Sequence, residues 1–337
     1  MAENVPGKLL AVGGTRMVEK RVPRPVVYQF PGSFNSGKAT LALQLSQKAK
    51  DCEIKYTLHM RDNYTPEYVR LNPDTMAVPT MEIDDRVCTD SMDICKYLMD
   101  TYPGPGDQEI VAADRKEEMM DWVKFAASWD EYMFTYGNMD QKSADMTNAI
   151  RLINLRIYLN QVLTEKPADM NALVDAYVSK IAGITNMKRA QVDGPQKQKD
   201  LETNKALLHR VLARGNDLAG QHPSGFLFGD KLTTGDVFFL PIFRIFHVVL
   251  PAMFQEVFEK YPNLKGYWER AVAHPDVDVA LMKYVTKSHL AWAMFKFKVP
   301  KMLLAYKLGL LKAPPIPDEI EKRIAEATEE KWRQVRG

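Results

Sequence analysis

The tripeptide Val78-Pro79-Thr80 lies at the centre of the stretch, residues 28–102, that decides the fold. Apolar runs, helical runs and chain breakers alternate on both sides of it. They predict strands at 26–30, 53–60, 81–83 and 86–88 and helices at 36–50 and 91–102. The resulting order is β-α-β, a loop, and then β-β-α, in which the helices must cover a mixed sheet.

Three features of this stretch would meet in one crevice and suit a small anionic peptide that carries a thiol. An X-Pro bond adopts the cis form at little cost, and a cis Val78–Pro79 bond would turn the backbone of Val78 toward a peptide ligand. Asp90 and Ser91 begin a helix, where free N–H groups and the dipole attract a carboxylate. Ser33 follows the first strand and would direct its hydroxyl toward the same crevice.

The chain resembles the soluble glutathione transferases over about residues 25–285. The matching motifs are Tyr28-Gln29-Phe30-Pro31-Gly32-Ser33-Phe34-Asn35-Ser36, Tyr68-Val69-Arg70-Leu71-Asn72-Pro73, Ala77-Val78-Pro79-Thr80, Thr89-Asp90-Ser91 with Ile94 and Tyr97-Leu98, and Gly229-Asp230-Lys231-Leu232-Thr233-Thr234-Gly235-Asp236. Their spacing looks closest to the zeta-class enzymes and the bacterial glutathione-dependent reductive dehalogenases. The resemblance implies a thioredoxin-like α/β domain followed by an all-helical domain.

The resemblance also implies roles for individual residues, with glutathione as co-substrate and no metal. The residues expected to activate the thiol are Ser33, assisted by Asn35 and Ser36. Those expected to bind glutathione are Val78, Pro79, Thr80, Asp90 and Ser91. A small hydrophobic electrophile would lie between the domains against Trp129, Tyr132, Tyr136 and Asn138. Simpler interpretations stay open: a turn residue for Ser33, a helix cap for Asp90 and Ser91, and core packing for the aromatic residues.

The expected activity is conjugation of glutathione to the electrophile, or isomerisation of the electrophile. A second hypothesis is a non-catalytic module that keeps the glutathione transferase fold for interaction or membrane association, since the loop has neither the tyrosine nor the cysteine used elsewhere in the family. A third hypothesis, a glutathione-dependent reductase or dehalogenase, is disfavoured because Asn35 stands where the dehalogenases have cysteine. Cys52, Cys88 and Cys95 all lie outside that loop and form no CxxC pair.

Breakers and spacing divide the chain into segments. Pro103-Gly104-Pro105-Gly106 marks a domain boundary, beyond which the apolar period becomes helical. Thr233 and Asp236 predict a capping box for a buried apolar helix at 237–249, and 188–199 is expected to be an exposed loop. The predicted segments are a loose extension at 1–24, the glutathione-binding domain at 25–103, the helical substrate domain at 107–285 with an extra helical pair at about 140–195, and a tail at 286–337.

Length, charge and cysteine count limit the kinds of partner and the cellular location that we expect for the chain. With 337 residues and a net charge of +2, the chain is long enough for two cores and too balanced to favour nucleic acid. The odd cysteine count and the polar N-terminus predict a cytoplasmic protein, and the family resemblance suggests a homodimer. Residues 288–312 are apolar but interrupted by lysines and Pro300, so they would lie on an anionic membrane surface or pack over the helical domain.

Overall fold

The computed structural model describes residues 14–17, 24–30, 33–58, 60–102, 115–137, 140–192, 194–283 and 299–336. Its strands are β1 Thr15–Met17, β2 Val26–Gln29, β3 Glu53–Tyr56, β4 Thr80–Ile83 and β5 Arg86–Cys88. Its first helices are α1 Phe34–Leu45, α2 Pro66–Leu71 and α3 Ser91–Thr101. These elements confirm the predicted α/β fold and the order β-α-β, then β-β-α.

The five strands form one mixed sheet in the order β1-β5-β4-β2-β3. Strands β2 and β3 run parallel, and the other neighbours are antiparallel. Strand β1 corrects the prediction that 1–24 is a loose extension, because Thr15 pairs with Cys88 at the edge of the sheet. Thr89 Oγ1 also accepts the Gly14 N–H at 2.9 Å. A three-residue strand is too short to show a two-residue period in the sequence.

The remainder of the described chain is helical. Its helices are α4 Lys116–Ala126, α5 Glu131–Gly137, α6 Gln141–Glu165, α7 Met170–Val192, α8 Gly194–Gln221, α9 Thr234–Val249, α10 Pro251–Lys260, α11 Pro262–Ala273, α12 Pro275–Val277 with π-helical turns at Asp278–Lys283, α13 Val299–Lys307 and α14 Asp318–Arg336. Helix α9 is the buried axis that the apolar sequence at 237–249 predicts, and its phenylalanines lie in the main core.

The predicted exposed loop at 188–199 is wrong, because α7 continues to Val192 and α8 begins at Gly194. The Gly-Pro pair and the charges in this segment are typical of a loop. Pro195 stands instead in the first turn of α8, where its missing N–H would have no intrahelical acceptor in any case.

A second hydrophobic core joins the helical pair at 140–192 to the end of the chain. Helices α6 and α7 contribute buried residues such as Leu159 and Tyr177, and α14 adds Ile320 and Ile324. The same core contains Tyr64, Val69 and Met76 of the α/β domain. The extra pair and the C-terminal helix therefore form one packed unit against the segment that leads to Val78.

Gly215 allows α8 to pass close to α9. A Cβ built at this position would lie 2.3 Å from Cζ of Phe239, whose ring is fully buried. Alanine gains about 1 kcal/mol of helix propensity over glycine, but forcing a core ring to move costs about 1–3 kcal/mol. We therefore expect Gly215→Ala to destabilise the protein in urea unfolding.

The matched control for Gly215 is Gly266 in α11. A Cβ there would meet only Nη1 of Arg270, at 3.1 Å, and no core side chain or backbone atom. Gly266→Ala should therefore stabilise the protein by about 0.5–1 kcal/mol. Equal effects of the two substitutions would contradict the close approach of α8 and α9.

Candidate functional site

The register of the sheet brings the predicted site segments to one end of it. Tyr28, near the end of β2, pairs with Thr80 at the start of β4. Met81 in turn pairs with Cys88 at the end of β5. The loop that begins α1, the Val78–Pro79 bond and the start of α3 therefore lie side by side. The Val78–Pro79 bond is cis, the form that would turn the backbone of Val78 toward a peptide ligand.

Ser33 is the N-cap of α1 and its side chain is half-buried. Its Oγ accepts the Ser36 N–H at 3.2 Å, which is the usual task of a capping serine. The hydroxyl proton of Ser33 has no acceptor among the described residues. The side chain can therefore donate one hydrogen bond from a helix N-terminus, where the partial positive charge favours an anion.

Asn35 connects three helices around this loop. Its Oδ1 accepts hydrogen bonds from Lys38 Nζ at 2.9 Å and from Ser91 Oγ at 3.2 Å. Its Nδ2 donates to Oε1 of Glu131 at the start of α5. The sequence predicts Asn35 as an assistant of Ser33, whereas the structure places it as the link between helices α1 and α3 and the helical domain.

Lys38 is a site residue that sequence reasoning missed. It lies in α1, is only 5% exposed, and its ammonium is 4.3 Å from the ring centre of Phe34 and 5.0 Å from that of Phe238. A buried lysine needs such partners to offset the loss of water. The only signal in the sequence is that Lys38 is the one charged residue of α1.

The other predicted residues of the α/β domain differ in whether their polar groups already have a hydrogen-bond partner. The described part of the chain supplies no hydrogen bond to the backbone of Val78. Asp90 is the N-cap of α3 and accepts the Met92 N–H at 2.7 Å. Ser91 is the first helical residue, so its N–H has no acceptor within the helix.

Ser36 and Thr80 are buried and hold the site in place. Ser36 Oγ accepts the N–H of Phe30 at 3.4 Å. Thr80 Oγ1 accepts from Tyr68 Oη and Asn72 Nδ2, each at 2.9 Å. Both hydroxyls are therefore positioned to orient the loops that carry the site rather than to face a ligand.

The residues predicted to line the second-substrate pocket are placed differently. Trp129 is buried in the main core, edge-on to Phe34 and Phe134, which matches the core alternative given above. The Tyr132 hydroxyl accepts a hydrogen bond from the buried guanidinium of Arg151. The side chain of Tyr136 and all of Asn138 lie outside the described residues.

The three cysteines are all buried. Burial raises the pKa of the Cys52 thiol to about 11 and that of the Cys95 thiol to about 12. It also raises the pKa of Cys88. A thiol acts as a nucleophile in its thiolate form, so these three side chains are unsuited to thiol exchange.

The second core holds the loop that precedes the cis bond. Lys180 of α7 donates to the carbonyl oxygen of Thr75, and Thr75 Oγ1 accepts the N–H of Ala77 at 3.3 Å. Met76 has φ of +45°, a conformation that costs a non-glycine residue energy. Its side chain is fully buried in the second core, and its carbonyl accepts from Asn63 at 2.6 Å. Helix α7 therefore helps to set the position of Val78.

The buried amine of Lys180 makes the stability of the folded protein depend on pH. Burial, reinforced by Arg151 and Lys331, lowers the pKa of Lys180 well below its usual value of 10.5. The unfolded chain then binds a proton over a pH window in which the folded protein does not, so stability rises with pH across that window. The rise is at most about 1.4 kcal/mol per pH unit.

We expect Lys180→Met to remove that rise. Urea unfolding at several pH values above neutrality should show the wild-type protein gaining stability relative to the variant. Lys188→Met, at an exposed position on the same helix, is the control. A wild-type slope that matches the slope of Lys180→Met would contradict the buried position of this amine.

Comparison with known proteins gives two family matches. The model described as "Glutathione S-transferase, N-terminal domain" matches residues 27–106. The model described as "Glutathione S-transferase, C-terminal domain" matches residues 198–270. Helices α6 and α7 lie between the two matched segments. The search of curated proteins found no match.

Three solved structures are similar in fold. Beta-etherase LigF from Sphingobium sp. strain SYK-6 is 19% identical, with 77% of this chain and 99% of that chain covered and a TM-score of 0.55. Glutathione transferase F2 from Populus trichocarpa is 16% identical, with 78% and 99% covered and a TM-score of 0.50. A glutathione transferase from Methylococcus capsulatus str. Bath is also 16% identical, with 78% of this chain and 99% of that chain covered and a TM-score of 0.50. At these identities the likeness shows the fold alone.

Proposed function

This chain carries the N-terminal and C-terminal domains of the glutathione S-transferase family, and from that premise we propose that it binds glutathione and activates the thiol for attack on a small apolar electrophile. The observation that carries the proposal is Ser33. Its hydroxyl caps α1, is half-buried, and has a proton to donate beside the cis Val78–Pro79 bond.

Glutathione would bind as a short extended peptide. The backbone groups of Val78, which have no hydrogen-bond partner in the described part of the chain, suit the two hydrogen bonds of the cysteinyl residue of glutathione. The γ-glutamyl carboxylate would meet the N–H of Ser91 at the start of α3, where the helix dipole favours a negative charge. Asn35 would orient Ser91, since it already accepts the Ser91 hydroxyl.

Ser33 would then lower the pKa of the bound thiol. A free thiol has a pKa of about 8.5, so most of it is protonated at neutral pH. A hydroxyl that donates to sulfur stabilises the thiolate, and each unit of lowered pKa corresponds to about 1.36 kcal/mol. The thiol proton would leave to solvent, and the sulfur lone pair would form a bond to the electrophilic carbon. At the same time either the bond from that carbon to a leaving group breaks and the leaving group departs with the electron pair, or a π bond opens and its far atom takes a proton from solvent. In an isomerisation, the carbon–sulfur bond would break again and release glutathione.

The experiment is a pH titration of the ultraviolet thiolate absorbance of glutathione bound to the protein. We expect the wild-type protein to lower the pKa of the bound thiol clearly below 8.5 and Ser33→Ala to return it to about 8.5. Turnover of a model electrophile should fall about a hundredfold, as on loss of a single donor to developing charge.

Ser46→Ala is the matched control, because Ser46 lies at the other end of α1 and its hydroxyl donates to Leu43 O at 3.1 Å. It should leave both the thiol pKa and the turnover unchanged. A bound thiol whose pKa is the same in the wild-type protein and in Ser33→Ala would remove Ser33 from the mechanism.

The second candidate function is a non-catalytic module of the same fold. The observation that favours it is the loop at 33–36, which has no tyrosine or cysteine, together with the burial of all three thiols. Glutathione that binds with an unshifted thiol pKa would support it. The buried thiols also argue against a glutathione-dependent reductase. The homodimer and the cytoplasmic location remain predictions from the sequence.

A further inference from the structure

The segment after α12 presents an unusual apolar surface. Four large hydrophobic side chains are exposed in the part of the chain that the structure describes, and three of them are Leu304, Leu308 and Leu310, which are 56%, 62% and 74% exposed. We call these three side chains the leucine patch. Scattered exposed leucines are ordinary, but three within seven residues concentrate apolar surface in one short segment, which is a feature of interaction sites.

The local structure keeps the leucine patch facing outward. Leu304 lies on α13 and Leu308 directly follows its last residue, one helical turn further on, so the two share a face. Met302, on another face, is buried and accepts a contact from Asn154 Nδ2 of α6 at 3.9 Å. Gly309, with φ of +66°, ends the helix in a Schellman motif, since its N–H bonds Tyr306 O and the N–H of Leu310 bonds Ala305 O. The chain thereby reverses and leaves Leu310 in water.

The charge around the leucine patch has one sign. Lys301, Lys307 and Lys312 are exposed beside it. Residues 286–317 contain six lysines and no aspartate or glutamate, in a chain whose net charge is only +2. Residues 288–298, which form the first part of the apolar segment 288–312, lie outside the described residues.

We infer that the leucine patch and its three lysines bind the surface of an anionic lipid bilayer. Leucines that enter the acyl boundary, with lysines at the level of the phosphates, are the features by which an interfacial helix holds to such a surface. Helix α13 has nine residues, whereas a transmembrane helix needs about 20. No helix among the described residues is long and apolar enough to cross a membrane.

The test is co-sedimentation of the full chain with vesicles of phosphatidylcholine alone and of phosphatidylcholine mixed with phosphatidylserine. Wild-type protein should bind the anionic vesicles and bind the neutral ones far less. Leu308→Ser combined with Leu310→Ser should lower the ratio of bound to free protein about a hundredfold, since each buried leucine contributes about tenfold or more. Lys307→Gln combined with Lys312→Gln should lower it about thirtyfold on anionic vesicles only.

Matched controls lie elsewhere on the surface. Val279→Ser removes the fourth exposed hydrophobic side chain, and Lys116→Gln combined with Lys265→Gln removes two exposed lysines far along the chain from the patch. Both controls should bind like the wild-type protein. The altered side chains of the test variants are exposed, so circular dichroism should show unchanged folding.

Three results would overturn the inference. The first is equal binding to neutral and anionic vesicles. The second is wild-type binding by the double leucine variant. The third is a lipid-free dimer, measured by light scattering, that the leucine substitutions dissociate, because the patch would then belong to contact with a second copy of the chain.

Discussion

Replacing Asp236 by alanine is expected to lower the free energy of unfolding by about 3–5 kcal/mol. The carboxylate is fully buried and accepts four hydrogen bonds. Two come from the N–H and hydroxyl of Thr233 at the start of α9, at 2.8 and 2.9 Å. The others come from Leu227 N–H at 3.2 Å and Tyr267 Oη at 2.8 Å. Alanine would leave all four donors buried without an acceptor.

The measurement is urea unfolding followed by tryptophan fluorescence. Trp122 reports on this corner, because its indole N–H donates to Gly235 O at 3.2 Å. Two graded controls separate the carboxylate from simple packing. Asp236→Asn keeps one acceptor oxygen, so its free energy of unfolding should fall less than that of Asp236→Ala. Tyr267→Phe removes a single donor and should lower the free energy of unfolding by about 1 kcal/mol. If Asp236→Ala costs no more than Tyr267→Phe, the carboxylate does not organise this corner.

The double substitution Ile320→Ala and Ile324→Ala should have a similarly large effect, about 4–10 kcal/mol in total, because each buried isoleucine lost to alanine costs about 2–5 kcal/mol. Both side chains lie in the second core against α7. Helix α7 in turn holds Thr75 through Lys180. We therefore expect the variant to bind glutathione more weakly as well, although both substituted residues lie on a different helix from every proposed glutathione contact.

Hydrogen exchange provides the direct measurement for this variant. Amide protons at 60–77 should exchange faster, while those of α9, in the main core, should change little. Glu319→Ala combined with Lys322→Ala alters the exposed face of the same helix and should stay within about 0.5 kcal/mol of the wild-type protein. Unchanged exchange at 60–77 in the isoleucine variant would show that α14 does not support the site.

The α/β order and the helix caps at the starts of α3 and α9 could be predicted because each depends on residues near one another in the chain. In both caps a carboxylate accepts an N–H that is no more than three residues away. Chain breakers, caps and apolar periods can therefore be recognised within a short stretch of the sequence. The same reasoning could not recognise β1, since pairing with β5 is decided by a partner strand about seventy residues away.

The sequence by itself determined the thioredoxin-like domain, the helical domain with its buried axis, and the positions of Ser33, Val78 and Ser91 at one end of a sheet. Only the tertiary structure decided that Asn35 joins Ser91 to Glu131, that Lys38 is buried between two rings, and that the C-terminal helix supports the loop before the cis bond. The physical reason is the separation along the chain. Asn35 is 56 positions from Ser91 and 96 from Glu131, and no local period or cap encodes which distant side chain will fill the space beside it.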